Sequence, residues 1–206
     1  MSFKDSPHKD VLRTAGWHTR GYLPHFDGRA IPQFVTLHLE DALPSRVIER
    51  WMNQLAELSD KEKQILLHRR IDRYLDQGYG ECLLRDPMVA QMVQNSLLEN
   101  DGVVYKLFSW VVMPNHTHSL QTRFEGLELD EIVRLHKSYT AHEANKVLGR
   151  SGEFWMKDYF DRYIRNGDHF RNVVRYIENN PVKAGLCLKP EDWPFGSAWF
   201  HQHVPK

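Results

Sequence analysis

The sequence predicts an α+β fold, an antiparallel sheet with helices packed on it, and three observations carry that reading. Short runs alternate apolar residues with period two, longer runs repeat them at helical spacing, and one Pro-Asn turn joins two β-rich runs into a hairpin. A chain of 206 residues with 41% hydrophobic and 26% charged residues has the balance of a domain that buries a core. Residues 1–206 are therefore read as a single domain.

The polar lead "TRGYLPHFDGRA" carries Pro and Gly and gives way to "IPQFVTLHLE". There Phe34, Thr36 and His38 alternate with Val35, Leu37 and Leu39, which predicts a first strand. "SRVIERWMNQLAEL" and "DKEKQILLHRRIDRYLDQG" place apolar residues at helical spacing. Ser45 and Asp60 are the expected N-caps and Gly78 the stop, so residues 45–78 read as a helical insertion. "RDPMVAQMVQNSLLENDG" predicts a third helix, capped by Asp86, with Pro87 in its first position and Gly102 beyond its end. "YKLFSWVVM" and "HTHSLQTR" predict two strands joined through Pro114 and Asn115. "LELDEIVRLHKSYTAHEANKVLG" is helical as far as Gly149, and the aromatic "GEFWMKDYFDRYIR" reads as extended. "GDHFRNVVRYIENNP" is the last predicted helix, begun near Asp168 and stopped by Pro181. Residues 184–206 read as an irregular tail packed by tryptophans.

Composition removes several classes of function. No stretch approaches the roughly 20 apolar residues of a membrane span, and "MSFKDSPHKD" lacks the apolar core of a secretory signal, so a cytoplasmic protein with no membrane partner is expected. Cys82 and Cys187 lie far apart, with no partner at metal-ligand spacing, and read as buried thiols. Net charge is zero, from 27 basic and 27 acidic residues, whereas nucleic-acid binders are commonly basic. Its distribution is uneven, for Arg134 to Lys183 holds ten basic against six acidic residues. A phosphate backbone responds to that local field, since remote charge is screened beyond about 8 Å.

The hairpin holds the most informative residues. His116 and His118 project from the same face of an extended strand while Thr117 points the other way. Two imidazoles on one face can share a metal and leave positions open for water and substrate. Two half-buried histidines bonded to their neighbours would give the same pattern, and the spacing alone leaves both readings open.

"WVVMPNHTHSL" resembles the HUH motif of single-tyrosine, IS200-like transposases, in particular the REP-associated tyrosine transposases of bacteria. "FRNVVRYIENNPVKAGL" followed by "PEDWPFGSAW" is similar to that family's C-terminal signature: a tyrosine, then Asn-Pro-Val, a basic residue and Ala-Gly, then Trp-Pro-x-x-Ser. "RGYLPHF", "FVTLHL" and "GYGECLLRDPMVAQMV" extend the resemblance over most of the chain, from about Trp17 to Trp199. It implies a ferredoxin-like or RRM-like fold, with Tyr176 as nucleophile and His116, His118 and Asn180 as ligands of a divalent ion, Mg²⁺ or Mn²⁺. The implied reaction is attack of Tyr176 on single-stranded DNA, giving a 5′-phosphotyrosine link and a free 3′-hydroxyl, then strand transfer, on a hairpin from a repeated extragenic palindrome. Tyr176 and Asn180 are four apart and share a helical face, with Asn180 expected at the helix end before Pro181. Thr117 departs from the bulky apolar residue usual between the two histidines, a packing effect of about 1 kcal/mol.

Other residues compete for these roles. Tyr159 and Tyr163 are rival nucleophiles whose alternation with Phe160 and Ile164 fits sheet packing better. Trp155 and Tyr159 could stack unpaired bases or form core. Arg165, Arg171, Arg175 and Lys183 are candidate DNA contacts, and His136, His142 and His169 read as surface or capping residues. A DNA-binding module of the same fold that has lost its chemistry, and an unrelated metallohydrolase, are the alternative functions. Monomer and homodimer both remain open.

Overall fold

A computed structural model describes residues 16–20, 23–27 and 31–204, so the polar start and parts of the lead lie outside the described residues. The chain order is β1 (Gly16–Arg20), β2 (Leu23–Asp27), β3 (Gln33–His38), α1 (Ser45–Gln54), α2 (Asp60–Leu75), α3 (Pro87–Glu99), β4 (Tyr105–Val112), β5 (His116–Arg123), α4 (Leu129–Val147), β6 (Phe160–Tyr163), α5 (Gly167–Lys183) and α6 (Ser197–His203). β1 and β2 pair antiparallel, in a stretch whose Pro and Gly did not mark it as strand. The other four strands form one antiparallel sheet in the order β4-β5-β3-β6. From β3 to β6 this is the ferredoxin-like β-α-β-β-α-β succession with the first strand inside the sheet, so the expected α+β class holds. Its first crossover carries α1 and α2 ahead of α3.

The alternation read in β3 separates two cores. Val35 and Leu37, with Leu39 just beyond, join buried residues of α1 to α4, among them Ile48, Ile71, Val89 and Val133. Phe34, on the other face, joins Leu120, Val111, Val173 and Ile177. The sheet therefore has helices on both sides, and among the described residues α5 is the helix of the second layer.

Several boundaries differ from expectation for physical reasons. The N-cap of α1 is Pro44, with no side-chain bond, and Ser45 is already helical. α2 is capped by Ser59 rather than Asp60, because its hydroxyl accepts the Glu62 N–H while the Glu62 carboxylate accepts the Ser59 N–H. Asp86 and Pro87 open α3 as expected. α5 does not stop at Pro181: it runs to Lys183, with Pro181 buried inside it. The missing proline N–H costs one bond, but Gly185 N–H bonds to Val182 C=O and Leu186 N–H to Pro181 C=O, with Gly185 at φ +71°. That Schellman ending satisfies the last carbonyls one turn later than the proline suggests.

The tail is not irregular. Residues 190–192 form a 3₁₀ turn and α6 follows. Val112 N–H bonds to Phe195 C=O at 2.8 Å and the Trp193 indole N–H donates to Val112 C=O at 3.0 Å, so residues 193–196 dock on the edge of β4. Phe200 of α6 then packs on Trp110, their rings 5.3 Å apart. The long extended stretch condenses to four residues of β6 and a bridge between Leu39 and Trp155. Trp155 and Tyr159 are both buried, which makes them core rather than platforms for bases. Cys82 is buried and Cys187 half-buried, both as free thiols.

Candidate active site

β5 begins with the His-Thr-His run, so its pleat sets both imidazoles on the α5 side of the sheet, rings 4.7 Å apart and fully buried. Cross-strand register puts His118 opposite Thr36, and the Thr36 hydroxyl meets His118 Nδ1 at 2.8 Å. His116 is oriented by its neighbour. Asn115 Nδ2 donates to Leu75 C=O at 3.2 Å and to Tyr79 C=O at 3.0 Å, which turns its Oδ1 toward His116. That oxygen can only accept, so His116 Nδ1–H donates to it at 2.7 Å and the lone pair sits on Nε2. Nε2 of each histidine is buried without a hydrogen-bond partner.

Both rings are neutral at pH 7. Burial pushes His116 down to about 3, with His38 and Lys183 adding to the effect. Burial likewise holds His118 well below its ordinary value, helped by His116, Lys183 and Arg162. A neutral imidazole with a free nitrogen is the form that binds a metal.

α5 brings the other half of the site. Asn166 caps it by accepting the His169 N–H, and its apolar face packs Val173 and Ile177 against the sheet. The Tyr176 ring then lies 5.5 Å from His118 and 5.9 Å from Phe34. Its hydroxyl is buried without a hydrogen bond of regular geometry, although the Asp72 carboxylate is close enough to act on it. Burial, then Asp72 and Asp76, push its pKa above the ordinary tyrosine value, against a smaller opposing effect of Arg162. One turn later Asn180 is fully buried, and neither its amide oxygen nor its nitrogen has a partner. Its place inside the helix, rather than at the end, comes with the Schellman ending beyond Pro181.

Buried polar atoms without partners are uncommon because each costs about 1–3 kcal/mol, so their concentration here points to a ligand. Among the described residues no three His, Cys, Asp or Glu side chains converge on a metal position; the third candidate is the amide of Asn180. Two imidazole nitrogens and one amide oxygen fit a divalent ion, held weakly enough to exchange its other ligands with phosphate oxygens.

Sequence reasoning missed Thr36, Asn115, Asp72 and Arg162. Thr36 shares the His38 side of the β3 alternation, a signal that was available; Asn115 carried only a turn signal. Arg162 lies over the Phe34 ring, 5.3 Å from its centroid. Among the candidate DNA contacts, Lys183 is ion-paired with Asp76 and lies 5.7 Å from the Tyr176 ring centroid. Arg171 pairs with Asp168, and Arg165 and Arg175 are exposed. Tyr159 and Tyr163 are on or beside β6, where Tyr159 is core. His136 is not a surface residue: it is buried, with Nδ1 2.9 Å from the Ser96 hydroxyl. His142 is exposed, and His169 Nδ1 accepts the Arg165 N–H.

Asn115→Ala should leave the Leu75 and Tyr79 carbonyls and the His116 ring without their partner. We expect a loss of about 2–4 kcal/mol of stability, read by urea unfolding.

The buried pair thus lies on a ferredoxin-like sheet and is faced by a helix bearing a tyrosine and an amide. Residues 88–180 match the family model described as Transposase IS200 like, so this part of the chain is similar to that family. The particular proteins it resembles are REP-associated tyrosine transposases. It is 30% identical to the one from Escherichia coli K12 over 102 residues, which are 50% of this chain and 58% of that protein. A relative from Haemophilus influenzae carrying the same family name is 27% identical over 103 residues, 45% of this chain and 57% of that protein. The chain thus spans somewhat over half the length of these curated relatives. A solved REP-associated tyrosine transposase, bound to a REP hairpin, aligns over 87% of this chain and 82% of that one, with a TM-score of 0.49 and 18% identity. Among the described residues no helix is long and apolar enough to cross a membrane.

Proposed function

We propose that the protein is a metal-dependent endonuclease and strand transferase for single-stranded DNA, working through a 5′-phosphotyrosine intermediate on REP-type palindromic hairpins. The observation that carries this reading is the set of buried, partnerless polar atoms on His116, His118 and Asn180, with the His118 ring 5.5 Å from that of Tyr176 and Asn180 one turn from Tyr176 on α5. The REP association in the names of the curated relatives supports the hairpin as substrate.

His116, His118 and Asn180 would hold the ion, Mg²⁺ or Mn²⁺. Once bound, it supplies positive charge to a nonbridging oxygen of the scissile phosphate. The chain's residues do the rest. Asn115 and Thr36 fix the two rings, as partners behind metal-binding histidines commonly do. The Tyr176 oxygen attacks phosphorus, the 3′-oxygen leaves as a hydroxyl, and the ester to Tyr176 conserves the bond energy for rejoining to a second end. Arg165, between β6 and α5, and Arg171 and Arg175 on α5 are exposed, and with Lys183 they supply the backbone contacts.

The test is denaturing electrophoresis after incubation of the protein with hairpin-bearing single-stranded DNA from the palindromes flanking its gene. A shifted band that requires Mn²⁺ or Mg²⁺ and disappears with chelator is expected. Specific hairpin binding without an adduct would point instead to a DNA-binding module, and neither to a metallohydrolase. In the same system Asn115→Ala should weaken Mn²⁺ binding about 10–100-fold by calorimetric titration.

A further inference from the structure

α2 precedes the segment that matches the family model, yet it reaches the nucleophile. Asp72 stands one turn before Asp76, the C-cap of α2, on the side that meets α5: Asp76 is ion-paired with Lys183, whose ammonium lies 5.7 Å from the Tyr176 ring centroid, and Asp72 faces the Tyr176 hydroxyl. That ion pair joins α2 to α5. Asp72 is half-buried as a residue, but its carboxyl is densely surrounded: Arg162 of β6, Asp76 of α2, and Tyr176 and Lys183 of α5 are the groups that face it. Asn115 fastens the end of this helix through the Leu75 carbonyl, so α2 is fixed to the strand turn that carries His116.

We propose that Asp72 positions the Tyr176 hydroxyl for attack and receives its proton. The inference rests on Tyr176 being the nucleophile. As the Tyr176 oxygen bonds to phosphorus, its proton passes to an Asp72 carboxylate oxygen and the bond from phosphorus to the 3′-oxygen breaks. The 3′-oxygen takes a proton from water, and Asp72 gives its own to the hydroxide so formed. Such an acceptor is needed because a phenol, with an ordinary pKa of about 10, keeps its proton at neutral pH. Burial raises Asp72 to about 6, against the pull of Arg162, which leaves it ionised at neutral pH yet more basic than an ordinary carboxylate. The regular hydrogen bond missing between the two groups is one that tightens when substrate is bound.

Two measurements on the full chain test this. Carboxyl carbon NMR, with Asp72 assigned by its loss in Asp72→Asn, reads the titration of Asp72 without any DNA. The tyrosine hydroxyl favours the carboxylate, so in Tyr176→Phe the Asp72 midpoint should move upward; an unmoved midpoint overturns the proposal. Single-turnover cleavage of the hairpin should fall about 10²- to 10⁴-fold in Asp72→Asn with hairpin affinity unchanged, recover in part in Asp72→Glu, and lose its acid limb near pH 6 in Asp72→Asn. An Asp72→Asn protein that cuts at the unaltered rate also overturns it. Failure of the unaltered protein to form an adduct removes the nucleophile reading and this inference with it. An adduct together with an unmoved Asp72 midpoint removes this inference alone.

Discussion

Tyr176→Phe should abolish the covalent DNA adduct and leave the stability of the fold within about 1 kcal/mol of its former value. Removal of a nucleophile that acts within an assembled site costs many orders of magnitude, here at least about 10⁴-fold in cleavage rate. Stability should change little. The Tyr176 hydroxyl is buried without a regular hydrogen bond, while its ring packs against Phe34 and His118. Phenylalanine keeps the ring and removes the desolvated oxygen together with its attraction to the Asp72 carboxylate, two opposed effects that should leave the unfolding free energy within about 1 kcal/mol. Hairpin affinity should persist. Cleavage by the variant at even a hundredth of the normal rate would mean that another group attacks phosphorus. A loss of more than about 1 kcal/mol would mean that the hydroxyl makes a regular hydrogen bond in solution.

Acid should unfold the metal-free protein between about pH 6.5 and pH 4. His38 and His136 are held neutral, each lowered to about 4 chiefly by burial. Above 6.5, the ordinary histidine value, folded and unfolded chains are both neutral at these positions and their contribution is intact. As pH falls from 6.5 toward 4 the unfolded chain takes up protons that the folded chain refuses, and stability drops by roughly 3 kcal/mol for each of the two. His116 and His118 add to the loss in the same direction. Asp72 opposes it: its folded value is raised from 3.8 to about 6, so its contribution is present at low pH and is lost as pH rises through 6. One carboxyl does not offset four histidines, and the balance is comparable with the whole stability of an ordinary domain. Urea unfolding at pH 7.5, 5.5 and 4.5 checks this, and a flat profile would contradict it. Mn²⁺ should raise the stability measured at pH 7.5, because a ligand of the folded state shifts the unfolding equilibrium.

The elements were legible where local chemistry decides them. Alternation in β3, β4 and β5 and the Asp86-Pro87 opening of α3 depend on neighbours in sequence, and the structure keeps them. So did the pairing of His116 with His118, since the pleat alone sets them on one face. Contacts between distant residues could not be read in that way. Pro181 ends a helix by its own geometry, yet burial and the Gly185 ending carry α5 beyond it. α6 follows residues 193–196, which dock on β4 in a pairing that no local pattern announces. The Ser59 and Glu62 capping box was spelled out in sequence and passed over for the neighbouring aspartate. Asp72 gave no signal, because its meaning depends on α2 meeting α5.

A sheet of this topology with one bare face offers a platform on which unpaired bases can lie flat, as in RNA-recognition modules. Here α5 fills that face, and Phe34, His118 and Leu120 beneath it are shut off from solvent. On the function proposed above, a bound strand would pass a rim instead of spreading on a table, and would meet the site phosphate first. Reading a base would then require flanking loops and helices to grip it, whereas the sheet would address only the backbone, which is alike in every sequence. Choice of target and cutting of target would thus fall to different parts of the chain, so that one could be altered while the other is kept.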